Sequence, residues 1–269
     1  MISCAFSGSG TKAPAFVGSC KAMLDMSEDF SEVAGTSGGS IVAAIIASNH
    51  DYYPVLNSLM NADWKQFFPT GIWSMMTGGI WNILFRGGLC DGKTFHKYIL
   101  DATNHMTFSK AILPVSIIAT DIDGGIMVFG KNTPDVLIGD AVRASMSVPF
   151  AFEPFKINGH YYVDGGIEDN IPADRLFMND KKVGLRIAYD ISPLRGTISD
   201  LSYAGQLITL LMKSTTDAHA KLGAMDGAKI LDIDASYASG LDFSMSEEIK
   251  SRLYDSGYSV MRNYLSNMK

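Results

Sequence analysis

The chain has 269 residues, 47% of them apolar and 19% charged, with 22 basic against 28 acidic side chains for a formal net charge of −6. That length and apolar share supply a sizeable core and exclude a disordered chain, while an acidic balance without a Lys/Arg run argues against a nucleic-acid partner. The three cysteines, Cys4, Cys20 and Cys90, are too few and too scattered for a disulfide framework or a zinc site, and point to reducing surroundings.

The first element expected is a short strand, Ile2 to Phe6, which runs into the Gly/Ser loop Ser7-Gly8-Ser9-Gly10-Thr11-Lys12 and then a helix from about Ala13 to Met26. This opening has neither the basic start nor the unbroken apolar stretch of a secretory signal, so a cytoplasmic location is expected. Consecutive N–H groups in the loop can form an anion-binding nest. A dinucleotide fingerprint needs a third glycine where Ala13 stands, which weakens that reading.

A second strand, around Glu32 to Ala34, enters Gly35-Thr36-Ser37-Gly38-Gly39 and a helix through Ile41-Val42-Ala43-Ala44-Ile45-Ile46-Ala47. That helix is apolar all round, as a buried helix is. The glycine-framed serine fits G-x-S-x-G on a strand-to-helix turn, where a strained backbone presents the hydroxyl and the helix N-terminus offers N–H groups to an oxyanion. The bland alternative is a Gly-rich turn. A Walker loop is excluded, because Ser40 and Ile41 occupy the places of its Lys and Ser/Thr.

Phe67 to Phe85 is uncharged and long enough to cross a bilayer. Pro69, Gly71, Gly78, Gly79 and Asn82 interrupt it, so a lid or acyl-chain wall that touches a membrane through Trp73 and Trp81 is expected, with a buried helix pair as the plain alternative. Strands follow at Pro114 to Thr120, His160 to Val163 and Val183 to Tyr189. The chain ends in a helix from Ser246 to Asn267, with Ser246 as its N-cap ahead of Glu247 and Glu248. Strands separated by helices imply a single α/β domain over 1–269: a mostly parallel sheet covered by helices on both faces, with the motifs in 1–189 and a helical part in 190–269.

A serine nucleophile needs a base within hydrogen-bond reach. Among the five histidines, His219 satisfies a Ser–Asp–His chain order, yet only 36 residues precede Ser37, too few for the half-sheet of an α/β-hydrolase. His219 is expected on a polar helix face in MKSTTDAHAK. The carboxylate candidates are Asp164, followed by Gly165 and Gly166 after a Tyr-Tyr-Val strand, and Asp123, followed by Gly124 and Gly125. Residue types alone barely separate the two. Context favours Asp164, because Asp123 runs into Ile126-Met127-Val128-Phe129 as a hairpin turn does.

Four segments, taken in order, resemble the patatin-like phospholipase family: Phe6 to Lys12 its oxyanion loop, Gly35 to Gly39 its nucleophile elbow, Arg143 to Phe150 the segment ahead of its aspartate strand, and Tyr162 to Gly166 with Asp169-Asn170-Ile171-Pro172 its catalytic aspartate motif. The resemblance covers Met1 to about Tyr189, and Ser246 to Leu265 loosely. It implies a three-layer sandwich, a Ser37–Asp164 dyad without metal or cofactor, and hydrolysis of lipid or phospholipid acyl esters through an acyl-enzyme. It further implies an oxyanion hole from Gly8, Ser9, Gly10 and Gly38, with Gly35, Gly39, Gly165 and Gly166 supporting the turns, and assigns Thr120-Asp121 to a structural pair, which removes Asp123. The chain departs from the family at Ser9 and Ala13, where glycines are usual. A non-catalytic lipid-binding or scaffolding member of the fold and an acyltransferase are the alternative functions.

Overall fold

In the computed structural model, which describes residues 1–67, 86–178, 181–188, 200–240 and 242–268, strands and helices alternate along the chain. Strand β1 (Ile2–Phe6), helix α1 (Pro14–Asp25), β2 (Phe30–Thr36), α2 (Gly38–Ser48) and α3 (Tyr52–Met60) form the first part. They are followed by β3 (Gly88–Cys90), α4 (Lys93–Ala102), β4 (Val115–Asp121), β5 (Gly125–Phe129) and α5 (Ile138–Ser145). Next come β6 (Phe150–Phe152), β7 (Phe155–Ile157), β8 (His160–Asp164) and β9 (Lys182–Ile187), then α6 (Asp200–Met225), β10 (Lys229–Ile233) and α7 (Glu247–Ser266).

The main sheet runs β10-β9-β1-β2-β4-β8-β7, with β5 also on β4, and β3 pairs with β6 apart from it. The strands from β10 to β4 are parallel, whereas β5, β8 and β7 join in antiparallel fashion. The expected mostly parallel α/β architecture is therefore what the chain adopts. Parallel neighbours β1, β2 and β4 bring the ends of their loops to one edge of the sheet, the place where such folds assemble sites.

The two faces of the sheet are packed differently. Ile2, Cys4 and Phe6 alternate onto the face covered by α1, α2 and α7, where Phe16, Ile41, Ile45, Leu253 and Met261 complete the large core. Ala5 and Ala34 point the other way, into a small cluster with Ile171, Ala173 and Ala220 beneath α6. Bulk on one face and alanines on the other let α6 approach the sheet closely. Helices α1 and α7 also cross at short range: a Cβ on Gly257 would overlap the Ala15 carbonyl oxygen, and one on Gly18 the Tyr254 carbonyl oxygen. Ser19 Oγ fills that crossing by donating to the Gly257 carbonyl oxygen at 3.0 Å.

The N-cap expected at Ser246 is formed, its Oγ accepting from the Ile249 N–H at 3.3 Å. Asp123-Gly124-Gly125 is the tip of the β4–β5 hairpin. The uncharged segment carrying Trp73 and Trp81 lies at 68–85, outside the described residues, as do Tyr189 and the stretch after it to 199. Among the described residues no helix is long and apolar enough to cross a membrane.

Candidate active site

Ser37 stands between β2 and α2 at φ 51°, ψ −127°. A non-glycine residue adopts such a conformation at a cost of about 1–3 kcal/mol, and only where its surroundings over-determine it. They do so here: the Ser37 N–H donates to Ser145 Oγ at 2.8 Å, and its carbonyl oxygen accepts from the Ser40 N–H at 2.9 Å and Ser40 Oγ at 2.6 Å. The glycines around it are steric requirements. A Cβ on Gly35 would press into the start of α2 at the Gly39 carbonyl, and one on Gly39 would overlap the carbonyl oxygens of Phe6 and Ser7.

The turn aims the hydroxyl at Asp164, and Ser37 Oγ donates to Asp164 Oδ2 at 2.6 Å across 127 positions of sequence. Both side chains are buried, Asp164 completely. Strand β8 pairs with β4, which pairs with β2, so sheet register carries the carboxylate to the serine. Asp164 Oδ1 accepts the Gly166 N–H at 2.8 Å, and the Asp164 carbonyl oxygen accepts from Thr120 Oγ1 at 3.0 Å. Gly165 lies so near β4 that a Cβ would overlap the Ile118 carbonyl oxygen. Burial pushes the Asp164 carboxyl up to about 6, against the opposing effect of the Ser37 hydroxyl and the Gly166 N–H.

The β1 loop closes over this pair. A Cβ on Gly38 would overlap Ser9 Oγ and meet the Gly10 N at 2.9 Å. Ser9 sits at φ −137°, where a side chain is tolerated, so its replacement of the usual glycine imposes no strain. Ala13 lies in ordinary helical geometry at φ −50°. Gly10 takes φ +56° beside the carbonyl of Gly240, a residue to which no motif in the sequence points.

The N–H groups of Ser9, Gly10 and Gly38 meet no acceptor among the described residues. Gly8 corrects the expectation: its N–H donates to the Asn170 carbonyl oxygen at 2.8 Å, so it serves to hold the loop. Asn170 and Ser145 thus belong to the site. Asn170 carries the sequence signal of the D-N-I-P run, whereas a backbone carbonyl acceptor and a helix-end serine have no residue pattern of their own.

The expected polar face for His219 is instead turned inward. His219 Nδ1 lies 3.3 Å from Asp169 Oδ1 and 3.4 Å from Asp174 Oδ1, and Arg175 Nε is 3.3 Å from Asp169 Oδ2. The hydrogen bond to Asp174 raises the imidazole above its ordinary pKa, with burial opposing, while burial pushes the fully enclosed Asp169 carboxyl up to about 6, with His219 opposing. Asp169, Asp174 and His219 have the convergence of metal ligands. Arg175 Nε, however, already pairs with Asp169 Oδ2 at 3.3 Å and with Asp174 Oδ2 at 3.6 Å, so both carboxylates have a protein partner. His219 is therefore engaged away from Ser37, and Asp123 is remote at its hairpin tip, its N–H held by Asp121 Oδ1 at 3.0 Å.

Ser37 opens onto a cavity of about 320 Å³ whose apolar walls include Leu89, Val148, Phe150, Ile187, Ile208 and Met212. Behind it is a recess of about 30 Å³ enclosed by Trp64, Phe95, Met146, Phe152 and Phe243. A polar pair at the floor of an apolar cleft is the usual form of a small-molecule site.

A model of the patatin-like phospholipase family matches residues 4–177. Over 279 aligned positions the chain is 26% identical to the uncharacterized protein YqhO of Bacillus subtilis, covering 94% of each. It is 23% identical over 181 residues to the protein named probable lipid hydrolase 463L of invertebrate iridescent virus 6, covering 62% of this chain and 60% of that one. Two solved structures share the fold across 99% of this chain. They are VipD from Legionella pneumophila (TM-score 0.58, 15% identity, 66% of its chain) and the type III effector ExoU (TM-score 0.53, 16% identity, 52% of its chain). The chain thus spans about two thirds or less of those two structures.

Proposed function

The chain belongs to the patatin-like phospholipase family, and on that footing we propose that it hydrolyses fatty-acyl esters of lipids through Ser37 and Asp164. The observation that carries this reading is the buried 2.6 Å hydrogen bond from Ser37 Oγ to Asp164 Oδ2 at the floor of an apolar cavity. Ser37 Oγ attacks the ester carbonyl carbon and its proton passes to Asp164 Oδ2. A carboxyl raised to about 6 holds that proton roughly two orders of magnitude better than an ordinary aspartate, which suits it to base chemistry near neutrality.

The oxyanion that forms is received by the N–H groups of Ser9, Gly10 and Gly38, with the positive end of α2 behind them. Collapse expels the alcohol, which takes the proton from Asp164, and leaves an ester on Ser37. Water then attacks that acyl-enzyme, giving its proton to Asp164, and the second tetrahedral species releases the fatty acid and restores the serine. The apolar walls favour the acyl chain by removing its surface from water.

Two variants and one probe test the reading. Ser37→Ala and Asp164→Asn should each abolish hydrolysis of a short-chain aryl ester, a loss of at least about 10³-fold for an essential member of a catalytic pair. A fluorophosphonate probe should label wild-type protein at Ser37 and leave Ser37→Ala unlabelled. Undiminished turnover in either variant, or no labelling of the wild type, overturns the assignment.

A further inference from the structure

Helix α6 is built inside out. The residues it buries are small: Thr216, Ala220 and Gly223, seated on Ala173 and the alanine face of the sheet. Four leucines and a methionine point away, with Leu207, Leu210, Leu211 and Leu222 between 44% and 47% exposed and Met225 at 85%. Among these leucines the exposed charge is Lys221, while Lys213 and Asp217, 42% and 49% exposed, pair with each other at 3.1 Å along the flank. A surface helix of a globular protein has the opposite arrangement, so folding alone does not account for this face.

The position of the leucines bears on what covers them. Ile208 and Met212, on the same turns of α6, line the cavity that holds Ser37. Phe150 lines that cavity too and is 38% exposed, at a φ of 68° that a non-glycine residue adopts only against a steric penalty. The apolar outer face is thus continuous with the cavity rim. A second copy of the chain seated on the same leucines would obstruct the opening a substrate must pass, whereas a lipid surface would feed it.

We propose that the outer face of α6 at Leu207, Leu210 and Leu211, with the Phe150 ring, docks on a phospholipid bilayer, so that an ester moves from lipid into the cavity without crossing water. This docking rests on the lipid-ester chemistry proposed for Ser37 and Asp164. With a net charge of −6, Lys221 among the leucines and the flanking Lys213 neutralised by Asp217, the attraction is apolar, so zwitterionic vesicles suffice and added salt has little effect.

The test measures flotation of Ser37→Ala protein with phosphatidylcholine vesicles, alone and combined with Leu207→Gln, Leu210→Gln and Leu211→Gln. Burying the exposed half of one leucine is worth about a fivefold change in partition, so the single variants should each lose about that much and the triple variant roughly a hundredfold. Raising NaCl from 0.1 to 0.5 M, or changing Lys221→Gln, should alter binding by less than about twofold. On the active background, the triple variant should hydrolyse a dissolved short-chain aryl ester at the parental rate and lose vesicle hydrolysis in step with binding. Single and triple variants that float as well as the parent overturn the proposal. So does sedimentation showing a parental dimer that the triple variant dissolves, which assigns the face to a second copy. If no ester is hydrolysed while flotation still depends on the leucines, the chemistry fails and the docking surface stands.

Discussion

Replacing Asp164 by Asn should silence the site and stabilise the protein at the same time. The carboxyl is fully buried, and burial raises it from 3.8 to about 6 despite two hydrogen bonds to its oxygens. At about 1.36 kcal/mol per pH unit, that displacement means the ionised side chain costs the folded state about 3 kcal/mol. Below about pH 4 the carboxyl is protonated in the folded and unfolded chains alike, and the cost is absent. Between about 4 and 6 the folded chain keeps a proton that the unfolded chain has released, so stability falls as pH rises, and above about 6 the full penalty is present. Asparagine is neutral throughout and keeps the geometry, its Oδ1 accepting from Gly166 and its Nδ2 donating to Ser37 Oγ. Urea denaturation of both proteins at intervals from pH 4 to pH 8 reads the difference. The variant's advantage should grow by about 3 kcal/mol across that range, roughly 5–10 °C in Tm at the upper end. An advantage that does not change with pH, or a variant less stable than wild type at pH 8, would refute a desolvated carboxylate as the base.

The same contacts lead to other expectations. Ester hydrolysis should fall about tenfold per pH unit below about pH 6, as Asp164 takes up a proton and ceases to be a base; a profile flat to pH 4.5 contradicts this. His219→Ala should keep hydrolysis within a few-fold while losing about 1–3 kcal/mol, because Asp169 is left buried with Arg175 as its remaining cation. Since the His219 pKa is raised, its contribution is fully present below about 6.5 and fades as pH rises through the higher folded value, so the gap between wild type and variant should narrow in alkali. Gly257→Ala should cost about 3 kcal/mol by forcing α7 off α1, seen as a drop in Tm; an unchanged Tm removes the close crossing.

The sequence carries more of the site than of its supports. Strand β1 and the G-x-S-x-G turn announce themselves, since glycines must stand where backbones nearly touch and an apolar helix must be buried. Asp164 is distinguishable from Asp123 by its downstream neighbours: a polar ordered run succeeds Asp164, and a hairpin's apolar strand succeeds Asp123. Two features escape for physical reasons. The inward turn of His219 depends on Asp169 and Asp174, which arrive from a distant loop, and amphipathic pattern misleads on a helix whose leucines face out. The anchoring of Gly8 depends on the Asn170 carbonyl, and backbone acceptors leave no mark in residue types.

The glycine crossing of α1 and α7 has a consequence for biosynthesis. Helix α1 comes directly after the loop bearing Ser9 and Gly10, and one flank of it is formed by α7, with Ser19 bonded to Gly257 across 238 positions of sequence. A nascent chain on the ribosome can therefore hold Ser37 and Asp164 long before the segment that steadies its first loop has emerged. If Ser37 and Asp164 act as proposed, their competence would then wait for synthesis of α7, sparing nearby membranes from a half-made site.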